Sequence, residues 1–143
     1  DKVESTGTGR TLHAADRDRA EESLKRVAAS IAEAYRVTAD VEYIRGVPPF
    51  VCEDEWVDRA IRVGEKMLGK ENVVMMPYAA MGGEDFAFIK EKKPGVFIRL
   101  GSHTPGGPYG SAHSPTYYSD PKSIPTGMLT IIGMAADFLG FEL

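Results

Sequence analysis

The sequence predicts an α/β fold, because helix-like and strand-like patterns alternate along it. Between Asp16 and Tyr35, apolar residues recur every three or four positions, which is the spacing of one helix face. Residues 3–12 and 37–45 have a period of two, which is typical of a strand. The short apolar runs 72–76 and 96–100 are consistent with buried strands.

Residues 3–45 are predicted to form a strand, a helix and a second strand, that is, a βαβ unit. Acidic residues crowd the first turns of the helix, where negative charge favours the helix dipole. Gly7 and Gly9 weaken the first strand, because glycine gives its neighbours little to pack on. The two strands would be parallel if they are neighbours in a sheet.

The pattern breaks at residues 46–50, Gly-Val-Pro-Pro-Phe, where two consecutive prolines force an extended backbone. We therefore place a boundary between two lobes at residues 46–52. A second helix is predicted over residues 53–68, and Gly69 is a natural C-terminal stop for it. The last predicted helix, residues 125–139, is apolar around most of its surface, so it must be buried on several sides or cover an interface.

Composition and charge argue against several classes of partner. The 143 residues include 17 basic and 21 acidic side chains, and the net charge of −4 disfavours binding to nucleic acid or to an anionic membrane. No apolar run approaches the ~20 residues of a membrane span. The single cysteine, Cys52, cannot form an internal disulfide or a cysteine metal site, which favours a reducing, cytoplasmic setting.

The first candidate for a functional site is the loop of residues 101–123, which is rich in Gly, Pro, Ser and Tyr and contains His113. Loops that follow core strands are exposed, while the strands hold them in place. A single histidine supplies one metal ligand or one acid/base group, so any partners must come from elsewhere. His103 and His13 are weaker candidates, because the Gly/Pro-rich spacing fixes no geometry for His103 and His13 reads as a surface residue.

The second candidate is the run of Gly82, Gly83 and Glu84, which precedes a short predicted helix carrying Phe86 and Ile89 into the core. Two glycines allow a backbone to approach a ligand closely. A helix N-terminus offers unpaired N–H groups that can hold an anion such as a carboxylate. The structural alternative is a tight glycine turn followed by acidic residues that complement the helix dipole.

Four motifs occur in an order that resembles a known family. They are Gly7-Thr-Gly-Arg-Thr11, Gly82-Gly-Glu-Asp-Phe86, Pro94-Gly-Val-Phe97 and His113-Ser-Pro115. Together they resemble the C-terminal part of the aminoacylase-like metallopeptidases, in the amidohydrolase branch that includes hippurate hydrolases, N-acyl-amino-acid amidohydrolases and auxin-conjugate hydrolases. The resemblance implies the C-terminal part of a zinc-peptidase-like α/β catalytic domain, preceded by a βαβ half of a ferredoxin-like lid domain. Residues 1–46 would be the second half of that lid or dimerisation domain, and residues 47–143 the closing segment of the catalytic domain.

The resemblance also implies a chemistry. Members cleave the amide bond of N-acyl amino acids or related small amides with a water activated by two divalent ions, zinc or manganese. His113 matches the family's last metal ligand, and Gly82, Gly83 and Glu84 match a loop that borders the active site. Arg10 matches the lid motif without an assigned chemical role. Asp120 is a candidate to hold the ring of His113, because metal-bound histidines usually donate their other N–H to a carboxylate or carbonyl.

The family's other metal ligands and its catalytic glutamate have no counterpart in these 143 residues. We therefore expect no catalytic residue here, no tightly bound metal and no activity from this polypeptide alone. We also expect it to associate, either as a homo-oligomer or with a missing N-terminal part. Two alternatives stay open: a non-catalytic α/β binding or dimerisation module, and an unrelated α/β enzyme that uses the His113 loop for acid/base chemistry.

Overall fold

A computed structural model of the chain describes residues 2–142 and contains two compact units. The first unit comprises the described residues up to Val51 together with Met76–Lys93. The second comprises Cys52–Met75 together with the described residues from Pro94 onward. The α-helices in the described part of the chain are α1 Ala14–Ala34, α2 Asp54–Leu68, α3 Phe86–Lys90 and α4 Ser123–Phe138, and a 3-10 turn covers Lys70–Asn72.

The three long helices confirm the helical predictions to within two residues at each end. Helix α2 begins directly after Glu53 and ends before Gly69, whose φ of 89° is accessible to glycine at little cost. Helix α1 ends before Arg36, which adopts a φ of 56°. The periodic apolar spacing therefore predicted where the chain becomes helical, because the i to i−4 hydrogen bonds of a helix are satisfied within the segment itself.

In the first unit, α1 is tied to the segment that follows it by charged side chains. Arg45 forms ion pairs of 2.6 Å with Asp18 and with Glu21, and Arg17 donates hydrogen bonds to the backbone carbonyls of Gly46 and Val47. The apolar face of α1 is poorly covered. Of its residues, Ala32 is buried, whereas Leu24, Val27 and Ile31 are 49%, 43% and 55% exposed. The contacts of α1 with residues 45–47 are thus polar and lie at the surface.

The strand predictions are not fulfilled, because no strand occurs between residues 2 and 142. Residues 3–12, 37–45, 72–76 and 96–100 were all expected to be strands, so the predicted βαβ unit is absent from the described chain. A strand exists only when a second segment completes its hydrogen-bond ladder, and an alternating sequence does not supply that segment. Apolar residues of these segments stay exposed accordingly: Val3 by 90%, Ile44 by 81% and Val74 by 79%.

In the second unit, α2 and α4 pack directly against each other. A methyl group on Gly133 of α4 would lie 2.9 Å from Cγ1 of Val63 and 3.1 Å from Cγ of Met67, so glycine lets the two helices approach closely. Val63 is only 1% exposed. Burying a side chain of this size contributes roughly 1.5–3 kcal/mol, which makes this contact the centre of the unit's core.

Charged and aromatic side chains reinforce the α2–α4 contact at one end. The carboxylate of Asp137 on α4 accepts two hydrogen bonds from Arg62 on α2, at 2.9 and 2.8 Å. Arg59 also pairs with Asp137, at 3.2 Å, and its guanidinium lies 5.3 Å from the ring centre of Trp56 and 5.5 Å from that of Phe138. Such cation–aromatic stacking orders the arginine side chain.

The expectation for α3 needs correction, whereas of the two alternatives for α4 only burial on several sides is not met and an interface stays a prediction. Helix α3 was expected to carry Phe86 and Ile89 into the core, but these residues are 42% and 54% exposed and its buried residue is Ala87. Helix α4 buries Thr130 and Gly133, whereas Ile131 is 71% exposed. A pattern of apolar residues defines a face but does not guarantee that another element covers it. In the described part of the chain, no helix combines the length and apolar character needed to cross a membrane.

Candidate functional site

The Gly82-Gly83-Glu84 segment lies in the first unit and leads directly into α3. Glu84 closes the turn. Its Oε1 accepts a hydrogen bond of 3.1 Å from the Phe86 N–H, and its backbone carbonyl accepts one of 3.0 Å from the Ala87 N–H. This capping agrees with the structural alternative for Glu84. It also fixes the orientation of the carboxylate, because one oxygen is held by the backbone.

The two glycines of this segment are not required by backbone conformation. Neither has a positive φ. A methyl group on Gly82 would meet nothing within 4 Å, and one on Gly83 would have ordinary contact, 3.5 Å, with Nη1 of Arg10. Glycine is usually needed where φ is positive or where space is short, and neither condition holds among the described residues. The described residues therefore do not themselves require glycine at positions 82 and 83.

Arg10 is a residue of this region to which the sequence assigned no role. Its guanidinium lies beside Gly83, its side chain is exposed, and it pairs with no other residue between 2 and 142. The signal that could have singled it out is its place in the Gly-Thr-Gly-Arg motif. Nothing in the sequence indicated that residue 10 would reach residue 83.

His113 lies in the second unit, in a left-handed backbone conformation with a φ of 63°. This conformation costs a residue with a side chain roughly 1–2 kcal/mol, so the surrounding loop must impose it. The imidazole is exposed and makes no hydrogen bond within residues 2–142. It is therefore available to an external partner.

A close backbone contact closes the loop around His113. A methyl group on the buried Gly110 would lie only 1.8 Å from the backbone oxygen of Thr116, far closer than two non-bonded atoms can approach. The backbone of residue 110 thus passes directly against that of residue 116, and His113 lies midway between them in sequence. Within this closed loop, Tyr117 N–H donates a hydrogen bond of 3.1 Å to the Ser114 carbonyl.

Asp120 organises the base of the same loop and does not hold His113. Its carboxylate accepts hydrogen bonds from the Thr104 hydroxyl and from the Lys122 N–H, and its own N–H donates to the Ser102 carbonyl at 2.7 Å. The Thr104 hydroxyl, followed by the Lys122 N–H, holds the pKa of Asp120 below its ordinary value. These bonds join residues 102–104 to 120–122.

The other two histidines, His103 and His13, make contacts within the described chain. The ring of His103 meets that of Tyr109 edge-on, with centroids 5.2 Å apart. His13 precedes the first residue of α1 and accepts hydrogen bonds at its backbone carbonyl from the Asp16 and Arg17 N–H groups. No three His, Cys, Asp or Glu residues of the described chain could together hold a metal ion, so neither histidine completes such a group with His113.

Comparison with known proteins identifies the family of the chain. Residues 3–137 match the model of Peptidase family M20/M25/M40. The chain belongs to this family. Membership in the M20 family confirms the resemblance drawn from the motifs, and it supports the α/β class for the whole fold even though the described residues contain only helices. No solved structure matches the chain significantly.

Three relatives illustrate the family. The chain is 27% identical to "Probable hydrolase sll0100" of Synechocystis over 92% of its own length and 34% of the relative's. It is 31% identical to "N-acetylcysteine deacetylase" of Bacillus subtilis, over 72% of the chain and 26% of the relative. It is 29% identical to "IAA-amino acid hydrolase ILR1-like 2" of Arabidopsis thaliana, over 83% and 28%. The chain thus spans about a third or less of the length of these relatives.

Enzymes of the M20 family generally depend on two divalent metal ions, so the donor set of this chain is informative. A catalytic zinc site takes three protein ligands as a rule. Residues 2–142 bring no such set together, and His113 offers a single exposed imidazole. The described residues therefore do not form a complete metal site, although His113 fits the part of one ligand. Within the first unit, the structure instead brings together Arg10 and Gly83.

Proposed function

We propose that the full-length protein is a metal-dependent amidohydrolase that cleaves the amide bond of N-acyl amino acids or related small amides with a metal-activated water. The observation that carries the proposal is the family match over residues 3–137, which includes both candidate segments. Two relatives are named for acting on acyl amino acids, one on N-acetylcysteine and one on IAA-amino acids. The class of substrate is therefore a small acyl amino acid, with no nucleic acid or membrane as partner.

In this proposal His113 supplies one ligand to a pair of divalent ions, zinc or manganese. When bound, the ions polarise the amide carbonyl and lower the pKa of a water molecule. Three features of His113 support its role: the imidazole is exposed, it has no hydrogen-bond partner in the described chain, and its loop is closed by the Gly110–Thr116 contact. A ligand held in a strained but closed loop loses little freedom when the metal binds.

Gly82, Gly83 and Glu84 border the substrate pocket in this proposal. Gly82 leaves open space beside its backbone, Gly83 has the guanidinium of Arg10 beside it, and Glu84 is held in place by its hydrogen bond from Phe86. None of the three residues has a proton-transfer role here. The two glycines shape the pocket by keeping side chains out of it, and Glu84 borders it with a carboxylate of fixed orientation.

The proposed domain organisation assigns residues 1–46 to the second half of a lid or dimerisation domain and residues 47–143 to the catalytic domain. The exposed apolar residues Leu24, Val27 and Ile31 of α1 support an associating role for the first segment. This role is also what the alternative function, a non-catalytic binding or dimerisation module, would need. A hydrolysis assay distinguishes the amidohydrolase from the binding module, since a module without catalytic residues does not hydrolyse substrate.

The experiment measures hydrolysis of N-acetyl amino acids by the full-length protein with added zinc or manganese. It compares the wild type with His113→Ala, and it measures bound metal in parallel. We expect His113→Ala to lower turnover by at least about 100-fold and to weaken metal binding, since even indirect supports of a metal site are worth 10–100-fold. His103→Ala is the matched control, because His103 is an exposed histidine in the same loop and packs on Tyr109.

Two results would reject the proposal or part of it. A wild-type protein that hydrolyses no N-acyl amino acid with either metal is not an amidohydrolase of this class. If His113→Ala keeps full activity and full metal content, His113 is not a ligand, whatever the protein's activity.

A further inference from the structure

We propose that a small cavity at the C-terminal end of α4 binds a free α-amino acid as a zwitterion, with a separate partner for its ammonium and for its carboxylate. The cavity has a volume of about 180 Å³, and all its lining residues belong to the second unit. They are Arg62, Val63, Lys66, Asp137, Phe141 and Glu142. None of them lies in residues 82–84 or in the loop 101–123, so the inference goes beyond the proposed function and does not depend on it.

The C-terminal cap of α4 builds one wall of this cavity. Gly140 has a φ of 79°, a left-handed conformation that turns the chain away from the helix axis. The Phe141 N–H then donates a hydrogen bond of 2.9 Å to the Ala136 carbonyl. The Gly140 N–H donates one of 3.2 Å to the Asp137 carbonyl. These two bonds form the Schellman motif, which fixes the backbone of Phe141 beside the α2 residues of the cavity.

Only part of the charge in the cavity is neutralised within it. The Asp137 carboxylate accepts two hydrogen bonds from Arg62 and pairs with Arg59 as well. The side chains of Lys66 and Glu142 form no hydrogen bond or ion pair within residues 2–142. These two residues line the same cavity with opposite charges, yet they do not pair with each other. The cavity therefore presents one cation and one anion that are both available to a ligand.

A ligand that satisfies both groups must itself carry both charges. The α-carboxylate of an amino acid can accept a hydrogen bond from Lys66, and its α-ammonium can donate one to Glu142, and such charge-assisted bonds are about twice as strong as neutral ones. A ligand with a single charge would leave one of the two side chains without a partner.

The size and lining of the cavity narrow the ligand further. Pockets for drug-sized ligands measure roughly 300–1,000 Å³. The volume of about 180 Å³ favours a smaller molecule, such as a single amino acid. Val63 and Phe141 contribute apolar surface, so an amino acid with an apolar side chain is the preferred ligand. Leucine is the probe that combines these properties.

The test observes the cavity directly by NMR. The full-length protein is labelled with ¹⁵N-phenylalanine, and the Phe141 amide signal is assigned by its loss in Phe141→Leu. Its chemical shift is then followed during a titration with leucine. We expect saturable binding with a dissociation constant on the order of 1 mM, since a small ligand in an open cavity gains little beyond its two charged contacts.

Two ligand analogues and two variants test each end of the zwitterion. Leucinamide lacks the carboxylate, and isocaproate lacks the ammonium. Each should bind to the wild type about 10-fold more weakly than leucine, the lower end of the value for a hydrogen bond to a charged group. Lys66→Ala should abolish the preference for leucine over leucinamide, and Glu142→Gln should abolish the preference for leucine over isocaproate.

The matched controls are Lys70→Ala and Glu55→Gln, which remove the same charges from exposed residues of the second unit that do not line the cavity. Both preferences should stay as in the wild type. A Phe141 signal that does not respond to leucine, or charge variants that keep both preferences, would overturn the inference. Neither result depends on hydrolysis of an N-acyl amino acid, so this inference and the proposed function succeed or fail separately.

Discussion

The two units of the chain hold their candidate residues in different ways. In the second unit, α2 and α4 bury Val63 between them, and the loop around His113 is closed by the contact of Gly110 with Thr116. In the first unit, α1 leaves most of its apolar face exposed, and the Gly82-Gly83 turn has open space beside it. The difference teaches that the left-handed conformation of His113 lies in a loop closed by a backbone contact, whereas Gly82 in the first unit has open space beside it.

The largest expected effect comes from substituting the glycines of the two regions. Gly110→Ala places a methyl group 1.8 Å from the Thr116 oxygen, so the loop must open. We expect a loss of about 3 kcal/mol in the free energy of unfolding, at the upper end for overpacking, together with loss of any His113-dependent metal binding. Gly82→Ala, with nothing within 4 Å, should cost less than about 1 kcal/mol.

Urea unfolding of both glycine variants measures these values. If Gly110→Ala proves as stable as Gly82→Ala, the loop around His113 is not held by the backbone contact. The contrast between the two units would then lose its main support.

A second test compares buried with exposed apolar side chains on helices. Val63→Ala on α2 removes two methyl groups from a site that is 1% exposed, and it should destabilise by about 2 kcal/mol through lost burial and a small cavity. Ile31→Ala on α1 removes more atoms from a site that is 55% exposed. It should change the free energy of unfolding by no more than about 0.5 kcal/mol, as surface substitutions do.

The same unfolding measurement decides the second test. A cost for Ile31→Ala equal to that for Val63→Ala would mean that the exposed face of α1 is covered in solution. Repeating the unfolding measurement at several protein concentrations tests whether a second copy covers this face, since self-association makes the free energy of unfolding depend on protein concentration.

The smallest expected effect concerns two carboxylates whose pKa values are lowered by different causes. The pKa of Asp120 is lowered first by the neutral Thr104 hydroxyl, and that of Glu21 first by Lys25 and then by Arg45. Screening weakens interactions between exposed charges, so about 1 M salt, where the Debye length is about 3 Å, should raise the pKa of Glu21 more than that of Asp120. Carboxyl NMR titration at low and high salt measures both.

Removing the hydroxyl in Thr104→Val should raise the pKa of Asp120 towards its ordinary value at any salt concentration. Because the folded-state pKa is depressed, the stability that Asp120 contributes is present above its ordinary value of 3.8 and is lost as the pH falls through the lower folded value. The difference in stability between the wild type and Thr104→Val should therefore shrink in acid. Ser114→Ala, which removes a 3.1 Å bond to the Thr116 hydroxyl and no carboxylate contact, should show no such pH dependence.

The long helices and the family could be predicted from the sequence, because both depend on local patterns. The helices around Leu24 to Tyr35 and residues 54–68, with the stop at Gly69, follow from contacts within four residues. The family could also be recognised from the sequence, because the order of motifs such as Gly82-Gly-Glu-Asp-Phe86 and His113-Ser-Pro115 along the chain does not depend on tertiary structure. The roles of His113 and of Gly82, Gly83 and Glu84 remain predictions.

Other features depend on contacts between residues that are distant in the sequence, and these features could not be predicted from it. The alternation in residues 37–45 identified two faces but no ladder partner, so the predicted strand did not form. Asp120 was a candidate to hold the ring of His113, yet its carboxylate accepts hydrogen bonds from Thr104 and Lys122, a choice of donor that the sequence does not specify. Arg10 had no predicted role until the structure placed it beside Gly83.

The sequence by itself determined the helical segments, the lack of a helix between residues 2 and 142 that is long and apolar enough to cross a membrane, and the family to which the chain belongs. Only the tertiary structure decided that the Gly110–Thr116 contact closes the loop of His113 and that Arg10 lies beside Gly83. The physical reason is the range of the interactions. Helical hydrogen bonds and motifs are local, whereas loop closure and the meeting of residues 10 and 83 require the chain to return to itself, which no short pattern specifies.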